Sequence, residues 1–250
     1  MNKLTGIVVA KNEEKMIGEC LDSLSFCEKI LVIDAKSSDR TVEIAKKKGV
    51  EVVEYASDDF SAMRNEALRH VTTEWVLYID ADERITPDLS FIIKNQVERE
   101  NIFAAYRLKR KNFYLGNHEW PYIERLERLF KKNLLVEWKG VLHESPVVKG
   151  RIGELDGFLL HYTHRDLGSM VAKTIEWSKV EAELRFESNH PKMSAWRFFR
   201  VILTAFFNSY IKQRGWKVGA MGLIESIYQA FSIFITYARL WELQEREKRK

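Results

Sequence analysis

Glu74-Trp-Val-Leu-Tyr-Ile-Asp-Ala-Asp-Glu83 is an apolar run that ends abruptly in acid. Trp75 to Ile79 reads as a buried strand of a parallel sheet, because such strands are covered on both faces and lose the alternation of half-exposed ones. Asp80 and Asp82 then fall just past its carboxyl end, where open α/β sheets form their ligand crevices. Hard oxygen donors one residue apart suit Mg²⁺ or Mn²⁺, which take few protein carboxylates and fill the remaining positions with water and phosphate oxygens. Taken alone, an Asp-x-Asp pair more often just solvates a strand end, so the surrounding pattern has to decide.

Upstream, that pattern alternates. Leu4 to Ala10 is a first buried strand, followed by Met16, Ile17, Cys20, Leu21 and Leu24 at helical spacing. Lys29 to Asp34 is a second strand, and the Ser and Asp residues of 34–41 can cap the next helix. Lys46 to Lys48 complement that helix's negative end and Gly49 closes it. Val50 to Glu54 is strand three, and Ser61 to Val71 carries Met63, Ala67, Leu68 and Val71 on one helical face. Such βα alternation implies parallel strands joined by right-handed crossovers. Three polar loops then face the crevice: Lys11 to Glu14, Asp34 to Asp39 and Asp80 to Glu83.

Downstream, Thr86 is a helix N-cap with Pro87 in the first turn, and Leu89, Ile92, Ile93 and Val97 form the buried stripe. Short strands are predicted at Phe103 to Lys109, Asn112 to Leu115, Leu126 to Phe130 and Leu134 to Trp138. After Leu167 the chain turns helical. Trp196 to Ile211 is rich in aromatics, with Arg197 and Arg200 among them and Lys212, Arg214 and Lys217 beyond. Ala220 to Trp241 has an uncharged core only from Ser226 to Ala238, short of the about 20 apolar residues of a spanning helix. Apolar faces interleaved with Arg and Lys suit a helix lying in a membrane interface. The alternative is a helical pair packed on the catalytic domain or on another subunit. The expected organisation is a domain over 1–166 and a helical, membrane-associating extension over 167–250.

Forty Lys plus Arg against 36 Asp plus Glu leaves +4, too mild and mixed a charge for a nucleic-acid partner. Cys20 and Cys27 make neither a disulfide framework nor a zinc site, which fits a reducing cytoplasm. Leu4 to Ala10, interrupted by Thr5 and Gly6, is no secretory signal.

Four ordered motifs carry a resemblance: Val8-Val-Ala-Lys-Asn-Glu-Glu14, Val32-Ile-Asp-Ala-Lys-Ser-Ser-Asp-Arg-Thr41, Met63-Arg-Asn-Glu-Ala-Leu68 and Tyr78-Ile-Asp-Ala-Asp-Glu83. With Arg128-Leu-Phe130 and Val141-Leu-His-Glu144, the chain resembles family 2 inverting glycosyltransferases of the GT-A fold, and within them the bacterial lipopolysaccharide core β-glucosyltransferase-like proteins. The resemblance implies an α/β fold with a mostly parallel, Rossmann-like central sheet flanked by helices and a C-terminal helical extension. It implies a nucleotide-sugar donor, most often a UDP-sugar, and a lipid-linked or lipopolysaccharide-type glycan acceptor at the inner face of the cytoplasmic membrane.

Residue by residue, the resemblance makes Asp34 the reader of the nucleobase and Arg64 a donor-binding arginine. Asn12, Glu13 and Asp80 also join the donor site, and Asp82 is the metal ligand of the Asp-x-Asp motif. Ala35-Lys36 departs from the Ser-Gly of many relatives. An acid shortly before Arg-Leu-Phe is the catalytic base, which points to Glu124, with Glu127 and Glu119 as competitors. His143 is the further metal ligand or diphosphate contact, with His161 its rival. A sugar-1-phosphate nucleotidylyltransferase would need a glycine-rich, basic phosphate loop where Lys11-Asn12-Glu13-Glu14 stands. A non-catalytic membrane adaptor would leave Asp34, Arg64, Asp80 and Asp82 unexplained.

Overall fold

The computed structural model describes residues 3–57, 59–100, 102–116, 118–141 and 144–248. The chain forms two compact units, Met1–Lys111 with Ile123–His161, and Asn112–Tyr122 with Tyr162–Lys250. Where the sequence suggests one boundary after residue 166, residues 112–122 group with the helices.

The first unit opens with the expected alternation: β1 (Leu4–Ala10), α1 (Ile17–Ser23), β2 (Lys29–Asp34), α2 (Thr41–Lys47), β3 (Glu51–Glu54), α3 (Phe60–His70) and β4 (Trp75–Asp80). β1 pairs in parallel with β2 on one side and β4 on the other, and β2 with β3. β1 is buried along its whole length, as its apolar run requires, and each Leu or Ile so placed contributes about 1.5–3 kcal/mol. One core layer gathers Leu4, Val8, Ile17, Leu24, Leu77 and Ile79; the other gathers Ile7, Ile33, Met63, Tyr78, Phe130 and Trp138. These layers hold the carboxyl ends of β1, β2 and β4 in register, Ala10 beside Asp34 and Val9 beside Asp80.

After β4 come β5 (Glu83–Ile85), α4 (Pro87–Glu98), β6 (Phe103–Tyr114), β7 (His118–Lys131), β8 (Leu135–Lys139), β9 (Ser145–Val148) and β10 (Arg151–Tyr162). Thr86 caps α4 through its side chain, accepting from the Leu89 amide at 3.3 Å. The main sheet runs β3-β2-β1-β4-β7-β6-β10-β5, with β7 antiparallel to β4 and β5 antiparallel to β10. β8 and β9 pair separately. The two strands expected over 103–109 and 112–115 are one continuous β6, and the strand expected from Leu126 begins eight residues earlier, at His118. The charged side chains that look like a turn in the sequence find partners across the sheet: Lys109 meets Asp156 at 2.7 Å and Arg110 meets Glu83 and Glu124.

The second unit is built on α5 (Leu167–Glu187), α6 (Ala195–Phe207) and α7 (Gly219–Glu247). Trp120 is buried in it, its indole donating to Gln213 Oε1 at 2.9 Å. Gly215 is the residue that admits the ring, since a Cβ there would lie 2.7 Å from it. By length and composition α7 meets what a membrane crossing needs, although the sequence argued otherwise from its short uncharged core. The interruption at Glu225 is accommodated because that carboxylate is buried against His164 Nδ1 at 3.0 Å and Gln229 Nε2 at 2.7 Å. Met221, Ser226, Tyr228, Ala230, Thr236 and Leu240 are buried too, so one face of α7 is a packing face.

Candidate active site

The first two polar loops interlock. Asn12, at φ 56°, donates its amide to Ser37 Oγ at 2.9 Å and accepts from the Ser38 amide at 2.8 Å. The Glu13 amide donates to Thr41 Oγ1 at 2.8 Å, so its backbone, like that of Asn12, ties the loop after β1 to the loop after β2. Asp34 is buried, and its two carboxylate oxygens accept from the Ser37 amide at 2.9 Å and the Ser37 hydroxyl at 2.6 Å. Lys36 holds φ 57°, the left-handed region in which glycine rests without strain.

At the end of β4 the charges alternate in a chain. α3 presents Arg64, whose guanidinium lies over the Trp138 ring at 4.9 Å and reaches Asp80 at 2.7 Å and Glu144 at 2.9 Å. Asp80 also meets Arg128 at 2.6 Å, and the same Arg128 nitrogen donates to Glu83 Oε1 at 2.8 Å. Glu83 then accepts from Arg110 at 2.8 Å, and Arg110 holds Glu124 at 2.6 Å. Burial opposes the charge on Asp80, yet the guanidinia of Arg128, Arg64 and Arg110 outweigh it and hold this carboxyl far below its usual range. Burial likewise pulls Arg128 down, and the Asp80 and Glu83 carboxylates outweigh it and hold the guanidinium above its usual range. Arg64 Nη1 and Arg128 Nε are buried with no hydrogen-bond partner among the described residues, an expensive state for charged donors that an oxygen-rich ligand would relieve.

Asp82 lies beside this chain, with Oδ1 3.4 Å from His161 Nε2 and both side chains nearly buried. β5 and β10 make this contact by pairing Glu83 with His161 across an antiparallel register. His143 lies outside the described residues. No group of three or more His, Cys, Asp or Glu side chains converges as a metal cage among the described residues. A carboxylate and an imidazole side by side still fit a divalent cation that takes few protein ligands and completes its shell with diphosphate oxygens.

The structure therefore brings together Arg64, Asp80, Asp82 and Glu124 of the expected site residues, with His161. It does not bring in Glu127, which faces the other way on β7 and pairs with exposed Arg107 at 2.7 Å. Glu119 is exposed and belongs to the second unit. Sequence reasoning assigned no role to Glu83 or Arg110. Glu83 carried a signal in being the third acid of a short run; Arg110 carried none, being one cation in Arg107-Leu-Lys-Arg-Lys111.

The half-parallel sheet, with these acids and arginines gathered at its strand ends, has the GT-A fold of glycosyltransferases. The chain belongs to glycosyl transferase family 2, whose profile matches residues 5–151. It is similar to the lipopolysaccharide core biosynthesis glycosyltransferase LpsC of Rhizobium meliloti, 24% identical over 96% of this chain and 92% of that one. An uncharacterized glycosyltransferase of Rickettsia typhi is 27% identical over 99% of this chain and 90% of its own. Among solved structures, the mannosyltransferase PcManGT of Pyrobaculum calidifontis, in complex with GDP-Man and Mn²⁺, aligns with a TM-score of 0.56 at 14% identity, covering 96% of this chain and 87% of that one. Staphylococcus aureus TarS in complex with UDP-GlcNAc aligns at 0.51 and 15%, covering 98% and 92%.

Proposed function

We propose that the protein is a metal-dependent inverting glycosyltransferase that moves a sugar from a nucleotide-sugar, with UDP as the leaving group, to a hydroxyl of a cell-envelope glycan such as a lipopolysaccharide core. The observation that carries this reading is the meeting of Asp82 with His161 at 3.4 Å beside Asp80 and its arginines, at the carboxyl edge of the parallel strands. The likeness to LpsC supports the acceptor class, and the nucleotide-sugars in the two solved relatives support the donor class.

In this reading Asp34 and the loops of Asn12 and Glu13 receive the nucleoside, and Arg64 and Arg128 turn their unpartnered nitrogens to the diphosphate. Asp82 and His161 would hold Mg²⁺ or Mn²⁺, which when bound neutralises charge growing on the departing diphosphate. Glu124 takes the proton from the acceptor hydroxyl as its oxygen bonds to the anomeric carbon from the face opposite the diphosphate. The bond from that carbon to the diphosphate oxygen breaks, its electron pair leaves with UDP, and the configuration inverts.

The enzyme would work at the inner face of the cytoplasmic membrane. Trp196, Phe199, Leu203, Phe207 and Ile211 form an exposed stripe along α6 and the turn after it. Residues 188–224 contain no Asp or Glu, while Lys192, Arg197, Arg200, Lys212, Arg214 and Lys217 supply cations. Rings that enter the acyl boundary beside cations that meet anionic headgroups suit a helix lying in the interface.

The test is thermal stabilisation by a panel of nucleotide-sugars with and without Mn²⁺, since a ligand that binds only the native state raises the unfolding temperature. A UDP-sugar is expected to give a Mn²⁺-dependent shift that Asp82→Asn removes without loss of the fold. No shift with any sugar nucleotide, in protein shown to be folded, would overturn the donor site.

A further inference from the structure

Arg110 differs from the other cations of its strand. Arg107 is itself well exposed and Lys109 reaches out to the exposed carboxylate of Asp156, whereas the Arg110 side chain, only 15% exposed, meets the fully buried carboxylate of Glu83. Its planar fork is divided between two carboxylates. Nε and Nη2 donate to the same Glu124 oxygen at 2.8 and 2.6 Å, while Nη1 donates to Glu83 Oε1 at 2.8 Å. Glu83 is fully buried and does three further things: Oε1 accepts from Arg128 at 2.8 Å, Oε2 accepts the Asp80 amide at 2.9 Å, and its backbone pairs with that of His161. One buried carboxylate is thus common to the strand end that carries Asp80 and to the guanidinium that carries Glu124.

We propose that Arg110 is a positioning residue: it fixes the Glu124 carboxylate in the orientation from which the acceptor proton is taken, and through Glu83 it references that orientation to the end of β4. The inference rests on Glu124 being the base. A guanidinium is required because its rigid fork can serve two carboxylates at once; an ammonium is a point donor on a flexible stem and cannot hold both in register. Bound substrate needs its base in near-attack geometry, and a misplacement of about 1 Å lowers turnover on the order of 100-fold. The Asp80 side of the network keeps Arg64 and Arg128 when Arg110 is changed, so donor binding is preserved.

The experiment measures UDP release from UDP-glucose, with and without rough lipopolysaccharide, and the Kd of UDP with Mn²⁺, for Arg110→Lys, Arg110→Met, Glu124→Gln and Arg110→Lys/Glu124→Gln. The positioning role requires that Arg110→Lys lower kcat about 10- to 100-fold with the Kd of UDP within twofold of the wild type. It also requires that Arg110→Lys have no further effect once Glu124 is Gln, because a residue that acts only through Glu124 is not additive with its loss. Arg110→Lys keeps the charge, so it decides the matter even where Arg110→Met unfolds. Wild-type kcat in Arg110→Lys, with Glu124→Gln reduced to a small residual turnover, overturns the positioning role alone. Loss of kcat and of UDP affinity together overturns it in favour of general support of the fold. Full turnover in Glu124→Gln overturns the base assignment and this inference with it.

Discussion

Glu83→Gln is the substitution whose effect the structure specifies most closely. The side chain is 0% exposed and accepts three hydrogen bonds, from Arg110 and Arg128 on one oxygen and from the Asp80 amide on the other. Glutamine has the same shape, but one of its two terminal atoms is an NH₂ donor. In either orientation that group faces another donor, the two guanidinia or the backbone N–H, and the charge that balanced Arg110 and Arg128 is gone. Removing one partner of a buried ion pair destabilises by about 3–5 kcal/mol. With a urea dependence of about 1–3 kcal/mol/M, the unfolding midpoint should fall by at least about 1 M. Glu43→Gln is the control, because Glu43 meets Lys47 at the exposed surface, where solvent screens the pair and it adds little to stability. Urea denaturation followed by tryptophan fluorescence reads both. A Glu83→Gln midpoint no lower than that of Glu43→Gln would refute the claim that this carboxylate is the buried anchor of the site.

Asp80 sets an acid limit on stability. Its folded pKa is depressed, so its contribution is present above the unfolded carboxylate value of about 3.9 and is lost as pH falls through the folded value. Urea midpoints between pH 6 and 2 should therefore decline below about pH 4 less steeply in Asp80→Asn than in the wild type, and identical slopes would contradict the depressed pKa. At the other end of the chain, Phe199→Ser with Phe207→Ser should abolish sedimentation with phosphatidylglycerol-containing vesicles while lowering the urea midpoint less than Glu83→Gln does, as both rings are about half exposed. Wild-type binding should weaken as salt screens the cations, and failure to bind such vesicles at low salt would rule out the interfacial role.

The parallel half of the sheet was legible because its strands are buried on both faces: Ile7 to Ala10, Ile30 to Ile33 and Trp75 to Ile79 are consecutive apolar runs, and Thr86-Pro87 marks the start of α4 by its capping chemistry. The antiparallel half was not. β6 carries Lys109, Arg110 and Lys111 in its middle, a charge run that reads as a turn until its carboxylate partners on β5, β7 and β10 are known. β10 hides behind its glycines; Gly157 sits at φ 90° with Leu89 where a Cβ would stand, a constraint set by α4 from far along the chain. The site divides the same way. Arg64, Asp80 and Asp82 lie in motifs of the parallel half, whereas the neighbour of Asp82 was undecided between His143 and His161 because only the long-range pairing of β5 with β10 brings His161 to it.

The burial of Trp120 bears on how this enzyme can be divided. The end of β6 and the start of β7 group with the helices, and within that stretch Trp120 is buried, its indole donating to Gln213 with Gly215 against the ring. A catalytic fragment cut after residue 166 would keep Trp120 and the Tyr114 ring beside it, 5.2 Å away, but lose Gln213 and the Gly215 turn. An aromatic side chain of this kind buries on the order of 150–250 Å², about 4–6 kcal/mol when fully covered, and the share that the helices cover would return to water. Such a fragment would be sticky in solution before its chemistry was ever assayed, so the helices belong in any expressed form of the enzyme, whether or not a membrane is present for them to meet.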